Sequence, residues 1–498
     1  MTAATPRKAV QPTTSLTVAV VVVAMVLLGS TQGSPASKNG SVSPENSRET
    51  SAPAGITFPV GSYPFGVAYD PVNGLLYVSN FGSSNISVVD PTSNRVVAWV
   101  PVYYGVGPLA VDTSTGTVYA SDSVATVWGI NSSTNQVQWN IPLTDAGCPY
   151  GCAPDPHAYD PANGDIYVTE LVTNYVAAIH LNRVVAAIPA GDGPNGGVYD
   201  SINGNIYIAS EGSSFFSNLT VINGTSNRVV GEVYPVEGGP GLAFDSSNGE
   251  VYLCSNAGQP GQSNLITAVN GSTSQVVASI PTVAACEAAV YDPTNDYVYV
   301  TDRFSPAGPD LTNVTVVDPN THRIVLTLPV QQGPTGIAFD PANHNIYVAD
   351  SDTNNVSVLP QVYRLNVHET GLPPGTNWSA MVGGTTFFST TPTISFPETN
   401  GTLNFSIGRA ANLSANPGSG SVTVDGGPQW LNVTFSKGGG GSGLLGLPGT
   451  TGYYVLAGIG AIAAILIAAV VFLTRRRKRG SGPDHPPQVS PPTDNRPP

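Results

Sequence analysis

The side chains in this 498-residue sequence best placed to do chemistry sit at strand ends. Asp122, Glu170, Asp302 and Asp350 close apolar strands, Asp155, His157, Asn195 and Glu287 lie where other strands begin, and Glu211 and Arg303 stand one residue beyond strand ends. If those ends share one face, their carboxylates form a ring that suits Ca²⁺ or another divalent cation, because such ions take several oxygen ligands. The same residue types also satisfy turn backbone or face solvent, which is the commoner use of acidic and Asn residues at strand ends. No motif requires a cofactor: there is no Gly-x-Ser-x-Gly elbow, phosphate loop or dinucleotide fingerprint. The six histidines, His157, His180, His322, His344, His368 and His485, are scattered without zinc-ligand spacing.

These strand ends belong to a repeat. An Asp ends an apolar strand at Asp70, Asp112, Asp160, Asp200, Asp245, Asp292 and Asp340, and seven residues after each stands a tyrosine: Tyr77, Tyr119, Tyr167, Tyr207, Tyr252, Tyr299 and Tyr347. Turn residues such as Pro71-Val72-Asn73-Gly74 separate the two, with Asn-Gly supplying the positive φ of a tight hairpin. A third strand (Asn85 to Val89, Asn313 to Val317) and a fourth (Arg95 to Ala98, Arg323 to Leu326) follow. A period in the forties with several strands per unit predicts propeller blades. The last unit lacks its fourth strand, and an orphan strand, Ile56 to Val60, precedes the first; pairing the two would close the ring and leave no long edge. The expected fold is all-β: a seven-bladed β-propeller over 54–360, then a small Ig-like β-sandwich of about seven strands over 361–436. Propeller geometry gathers the loops leaving each second strand and those entering the next first strand on one face, the natural place for a site.

The repeated Asp and Tyr cannot be a unique active site. The expected roles are hairpin hydrogen bonding for the aspartates and core packing for the tyrosines. Four cysteines allow three pairings. Cys148 and Cys152 share one entry loop and are close enough to bridge, while Cys254 ends a second strand and Cys286 enters the following unit, so a bridge between adjacent blades is expected. Nothing nearby is arranged to activate a thiol.

The second strands read Tyr77-Val78-Ser79-Asn80, Tyr119-Ala120-Ser121-Asp122, Tyr167-Val168-Thr169-Glu170, Tyr207-Ile208-Ala209-Ser210, Tyr252-Leu253-Cys254-Ser255, Tyr299-Val300-Thr301-Asp302 and Tyr347-Val348-Ala349-Asp350. This series resembles the YVTN-repeat β-propeller family of archaeal and bacterial surface proteins, which implies a surface-layer-like, exported protein. Relatives of the same shape include lactonases, lyases and dehydrogenase subunits, so the shape does not choose a function. The segment from Tyr363 to Phe435 resembles the Ig-like modules that archaeal surface proteins carry before a membrane anchor.

Topology follows from apolar runs and charge. Residues 453–474 predict a transmembrane helix, and the basic, Pro-rich segment 475–498, opening with Arg475-Arg476-Arg477-Lys478-Arg479, predicts a cytoplasmic tail. Residues 1–37 read as a signal peptide or an uncleaved N-terminal anchor, followed by a linker over 38–53; a Gly-rich linker spans 437–452. Thirteen Asn-x-Ser/Thr sequons, none in the tail, fit a glycosylated exterior. The chain holds 18 Lys+Arg against 32 Asp+Glu, with Lys437 the one lysine between positions 50 and 474, which argues against nucleic acid as a partner. The expected partners are the membrane, through the C-terminal helix, and other cell-surface proteins or glycans. The expected function is binding, adhesion or envelope structure through the loop face. The alternative is an extracytoplasmic enzyme of lactonase or lyase type, with a metal or acid/base pair drawn from Glu170, His157, Glu287 or Asp302. Polysaccharide recognition would use loop-face aromatics, for which Tyr103, Tyr104, Tyr150, Phe215 and Phe216 are available.

Overall fold

The computed structural model describes residues 55–437 apart from 144–152, 213–216, 237–238, 256–263, 283 and 305–310. The segments assigned above to the leader, its linker, the membrane helix and the tail lie outside the described residues, as do nearly all of the Gly-rich linker and Cys148, Cys152, Tyr150, Phe215 and Phe216. Among the described residues the regular elements are strands, numbered β1 to β36 in chain order, and no helix is long and apolar enough to cross a membrane.

Six four-stranded antiparallel sheets each use four consecutive strands, beginning with β2 (Pro64–Asp70), β3 (Leu75–Asn80), β4 (Asn85–Asp90) and β5 (Arg95–Pro101). A seventh takes β26 (Pro334–Asp340), β27 (Asn345–Asp350) and β28 (Asn355–Leu359) from the end of the repeat region and β1 (Ile56–Pro59) from its start. The opening strands of the sheets are β2, β6 (Val106–Asp112), β10 (Pro154–Asp160), β14 (Pro194–Asp200), β18 (Leu242–Asp245), β22 (Ala285–Asp292) and β26. Each lies against the next, and β26 lies against β2, so the seven sheets close a propeller-like ring.

Burial explains the sequence of each strand. Second strands are covered on both faces by neighbouring sheets and read as unbroken runs, as in Thr117–Asp122, where every residue is buried. Fourth strands alternate exposed and half-buried residues, as in β5, because they form the rim. Cores lie between sheets: Tyr77, Ile86 and Val88 of the first pack with Val118, Ala120 and Ile130 of the second.

All seven repeated aspartates cap their hairpins identically. Each Oδ1 accepts the backbone N–H two residues on at 2.8 Å, from Val72, Ser114, Ala162, Ile202, Ser247, Thr294 and Ala342. The expected turn residues form the hairpin, with the glycine supplying its positive φ. Asp70 pairs with Leu75, so the loop has four residues; only Gly74 has positive φ (73°), while Asn73 Oδ1 accepts the Leu75 N–H. Asp296 and His344 take the same left-handed conformation where glycine is missing.

The repeated tyrosines are buried, and they do more than pack. The hydroxyls of Tyr77, Tyr167 and Tyr207 donate to the carbonyls of Ser132, Gly224 and Gly271 in the next sheet, at 3.2, 3.4 and 2.6 Å. Tyr347 makes the corresponding bond to Pro91 across the ring closure. At that closure β1 pairs antiparallel with β28, and Phe58, 5% exposed, meets the Tyr347 ring edge-on at 6.4 Å. A disulfide joins Cys254 of the fifth sheet to Cys286 of the sixth.

After the ring, β29 (Val362–Thr370), β30 (Trp378–Val382), β31 (Thr385–Ser389), β32 (Thr393–Thr399), β33 (Gly401–Ile407), β34 (Ser414–Asn416), β35 (Ser419–Val424) and β36 (Gln429–Ser436) form two four-stranded sheets. They enclose Trp378, Phe396, Phe405 and Phe435, and the β29–β36 pair is parallel. The junction with the ring combines polar contacts with burial of Val362 among apolar residues of the sixth and seventh sheets. Arg364 donates to Asp296 O at 2.7 Å and Asp318 Oδ1 at 3.0 Å, its guanidinium 4.3 Å from the Tyr297 ring centroid, and Asn295 Nδ2 donates to Val362 O.

Candidate functional site

The opening strands lie side by side around the ring, and six of the seven carry a register irregularity in their first half. Counting five residues back from each hairpin Asp gives Phe65, Gly107, Asp155, Asn195, Pro240, Glu287 and Thr335. The repeat therefore conserves its own frame while varying the residue type at this position, and three of the seven bear the polar side chains expected there.

Those three take part in separate contacts that influence one another electrostatically. Asn195 Nδ2 donates to Glu211 Oε1. Glu287 Oε1 pairs with Arg303 Nη1 at 3.1 Å, and Arg303 Nη2 donates to the Tyr63 hydroxyl at 2.6 Å. The guanidinium lies 6.0 Å from the ring centroids of both Tyr63 and Phe65, linking the sixth sheet to the entry of the first. Asp155 accepts a bond from Ser121 Oγ at 3.4 Å and crowds Gly107, where an added Cβ would come within 2.5 Å of its Oδ1. Burial, reinforced by the charge of Glu287, pushes the Asp155 carboxyl up to about 7. Glu211 is raised by the same two causes in the same order. Arg303 was expected one residue past its strand; it lies inside β23 (Tyr297–Phe304), which is longer because Phe304 pairs with Ala285.

The other expected residues are used elsewhere. Asp122 Oδ1 accepts the N–H groups of Val124, Ala125 and Thr126, closing its own turn. Glu170 accepts from Thr173 Oγ1, Asp302 from Thr315 Oγ1 and Asp350 from Ser357 Oγ, each at 2.7 Å within its own sheet. All four are at most 2% exposed. Burial pushes Asp302 and Asp350 up to about 7 and raises Glu170. The His157 Nε2 is buried without a hydrogen-bond partner among the described residues, and burial lowers the imidazole to about 4, so it is neutral at pH 7. Among the described residues no three His, Cys, Asp or Glu side chains form a metal-holding group.

Aromatic residues extend the cluster outward. Tyr63 lies 6.1 Å from Phe81, whose ring fills the space a side chain at Gly105 would need. Beside Gly105, Tyr103 and Tyr104 are 66% and 68% exposed, and Tyr103 lies 5.8 Å from Trp128.

No protein-family model and no curated protein matches the chain. Its fold has solved counterparts. A structure of Kuenenia stuttgartiensis hydrazine synthase is similar with a TM-score of 0.51 at 17% identity, over 60% of this chain and 96% of that one. A chain of a mitotic checkpoint complex gives 0.50 at 9% identity, over 66% and 96%. In fold this is a β-propeller protein. At these identities the likeness extends to the fold alone.

Proposed function

We propose that this chain is a cell-surface binding protein of the YVTN-repeat, surface-layer-like kind: a seven-bladed β-propeller carried on an Ig-like module and held in the membrane by the helix at 453–474. The propeller's mouth is its working surface. One observation carries the reading. Polar groups repeated in every sheet are consumed by turns and by bonds within and between sheets, whereas Asp155, Asn195, Glu211, Glu287 and Arg303 fall outside the repeat pattern and gather with Tyr63 and Phe65 at the strand ends. Such a cluster, with two carboxylates raised by burial and a third paired to an arginine, suits recognition of a polar ligand. The lactonase or lyase reading has less support, because Glu170 and Asp302 are engaged by Thr173 and Thr315 inside their sheets.

The test is to extract the full chain from its source membrane in mild detergent and record native mass, bound small molecules and metal content. A glycoprotein carrying a surface partner or polar ligand is expected. A stoichiometric catalytic metal, with turnover of a lactone that Glu287→Gln abolishes, would replace this reading with the enzymatic one.

A further inference from the structure

The loop joining the first and second sheets holds two tyrosines in solvent by an unusually firm support. Tyr104 has φ of 60°, an uncommon conformation for a residue with a side chain, and Gly105 follows at 62° with Phe81 packed where a Cβ would stand. Ser123 fixes the turn twice: its N–H donates to Tyr104 O at 2.9 Å and its hydroxyl donates to the same oxygen at 2.6 Å. Gly105 N–H donates to Ser84 Oγ at 3.1 Å. Behind the pair, the Trp128 indole N–H reaches Asp122 Oδ2 at 3.4 Å, orienting a third ring beside Tyr103.

Single exposed rings are ordinary on a protein surface, but Tyr103, Tyr104 and Trp128 adjoin one another, with Tyr103 6.5 Å from Tyr104 and 5.8 Å from Trp128, and so form a contiguous aromatic patch on a fixed backbone. Between Val102 and Gly105 the exposed residues are the two tyrosines, while the neighbouring aliphatic Val102 is 4% exposed. A pyranose matches that surface: C–H groups on one face of the sugar lie against an aromatic ring while its hydroxyls bond to polar groups at the edge. Tyrosine also binds at low entropic cost, since few torsions must be fixed, and this backbone is already ordered. The chain's formal charge of −14 disfavours anionic polysaccharides.

Building on the reading of the loop face as a binding surface, we propose that Tyr103, Tyr104 and Trp128 form a binding ledge for neutral polysaccharide. The ledge continues through Phe81 and Tyr63 toward the channel mouth, so one glycan chain has an outer aromatic contact and an inner polar one.

The full-length detergent-solubilised chain would be run on native affinity gels cast with mannan, amylopectin or mixed-linkage β-glucan, and with alginate or heparin for comparison. Retardation by at least one neutral polysaccharide and by neither anionic one is expected. In the double variant Tyr103→Ala/Tyr104→Asn, affinity falls by about tenfold or more; asparagine keeps the left-handed backbone at position 104. The variant Phe388→Ala, which removes a 68% exposed ring from the second domain, leaves retardation unchanged. Absence of retardation by every neutral polymer, retardation by the anionic ones alone, or an unaffected double variant with wild-type melting temperature would each overturn the proposal. Because purified chain is assayed, the result is independent of where the cell places the protein, and a ligand or protein partner found by membrane extraction but not retarded here overturns the glycan assignment while leaving the surface-binding reading intact.

Discussion

Asp302 lies within the second strand of the sixth sheet and Asp350 ends that of the seventh, each buried and accepting a hydroxyl bond from the third strand. Because burial raises both to about 7, the folded protein binds more protons than the unfolded chain between the ordinary carboxylate pKa and neutrality. Their contribution to stability is therefore lost as pH rises through that window. Asp302→Asn and Asp350→Asn should raise the melting temperature at about pH 8 and leave it nearly unchanged at about pH 4; equal effects at both would show that ionisation is not the cause. The tyrosine hydroxyls give a second prediction. Tyr207→Phe removes the 2.6 Å bond to Gly271 O and should cost about 1 kcal/mol in urea unfolding, whereas Tyr175→Phe, at an exposed site, should stay within roughly 0.5 kcal/mol of wild type. The hairpin role of the aspartates was legible in the sequence because seven copies exclude a unique site. The tyrosine bonds were not, since their acceptors are carbonyls of another sheet, some 55 to 64 residues away in the chain.

At the scale of the element, the entry strand β1 determines whether the ring closes. Its register, Ile56 opposite Val358 through Pro59 opposite Asn355, covers the edge of β28 that would otherwise be open. Phe58→Ala should cost about 3 kcal/mol and promote self-association through that edge, checked by thermal unfolding and analytical ultracentrifugation. The orphan strand and the missing fourth strand were visible in the sequence because each ends in the repeat's own pattern. The positive φ of the turn was legible at Gly74, whereas the part played by Asn73 was not, since it accepts the Leu75 N–H through its side chain and keeps an ordinary backbone. The channel-mouth cluster was only half legible. The strand-entry position exposed Asp155, Asn195 and Glu287, but Arg303 meets Tyr63 across 240 residues, a pairing that no local spacing announces.

At the scale of the whole molecule, Arg364 holds the second domain against the ring through Asp296, Asp318 and the face of Tyr297. Arg364→Ala should loosen this joint, seen as a larger radius of gyration by X-ray scattering and faster proteolysis near Gln361, while the melting of the ring is little changed. An ordered joint of this kind fixes the ring relative to the second domain, which suits the proposed surface-exposed binding protein. The most direct test of that account is protease treatment of intact cells expressing the full chain with a C-terminal epitope. The account predicts that protease releases fragments of the ring and second domain while a small epitope-bearing fragment stays protected. Full protection of the ring in intact cells, with cleavage only after lysis, would contradict it.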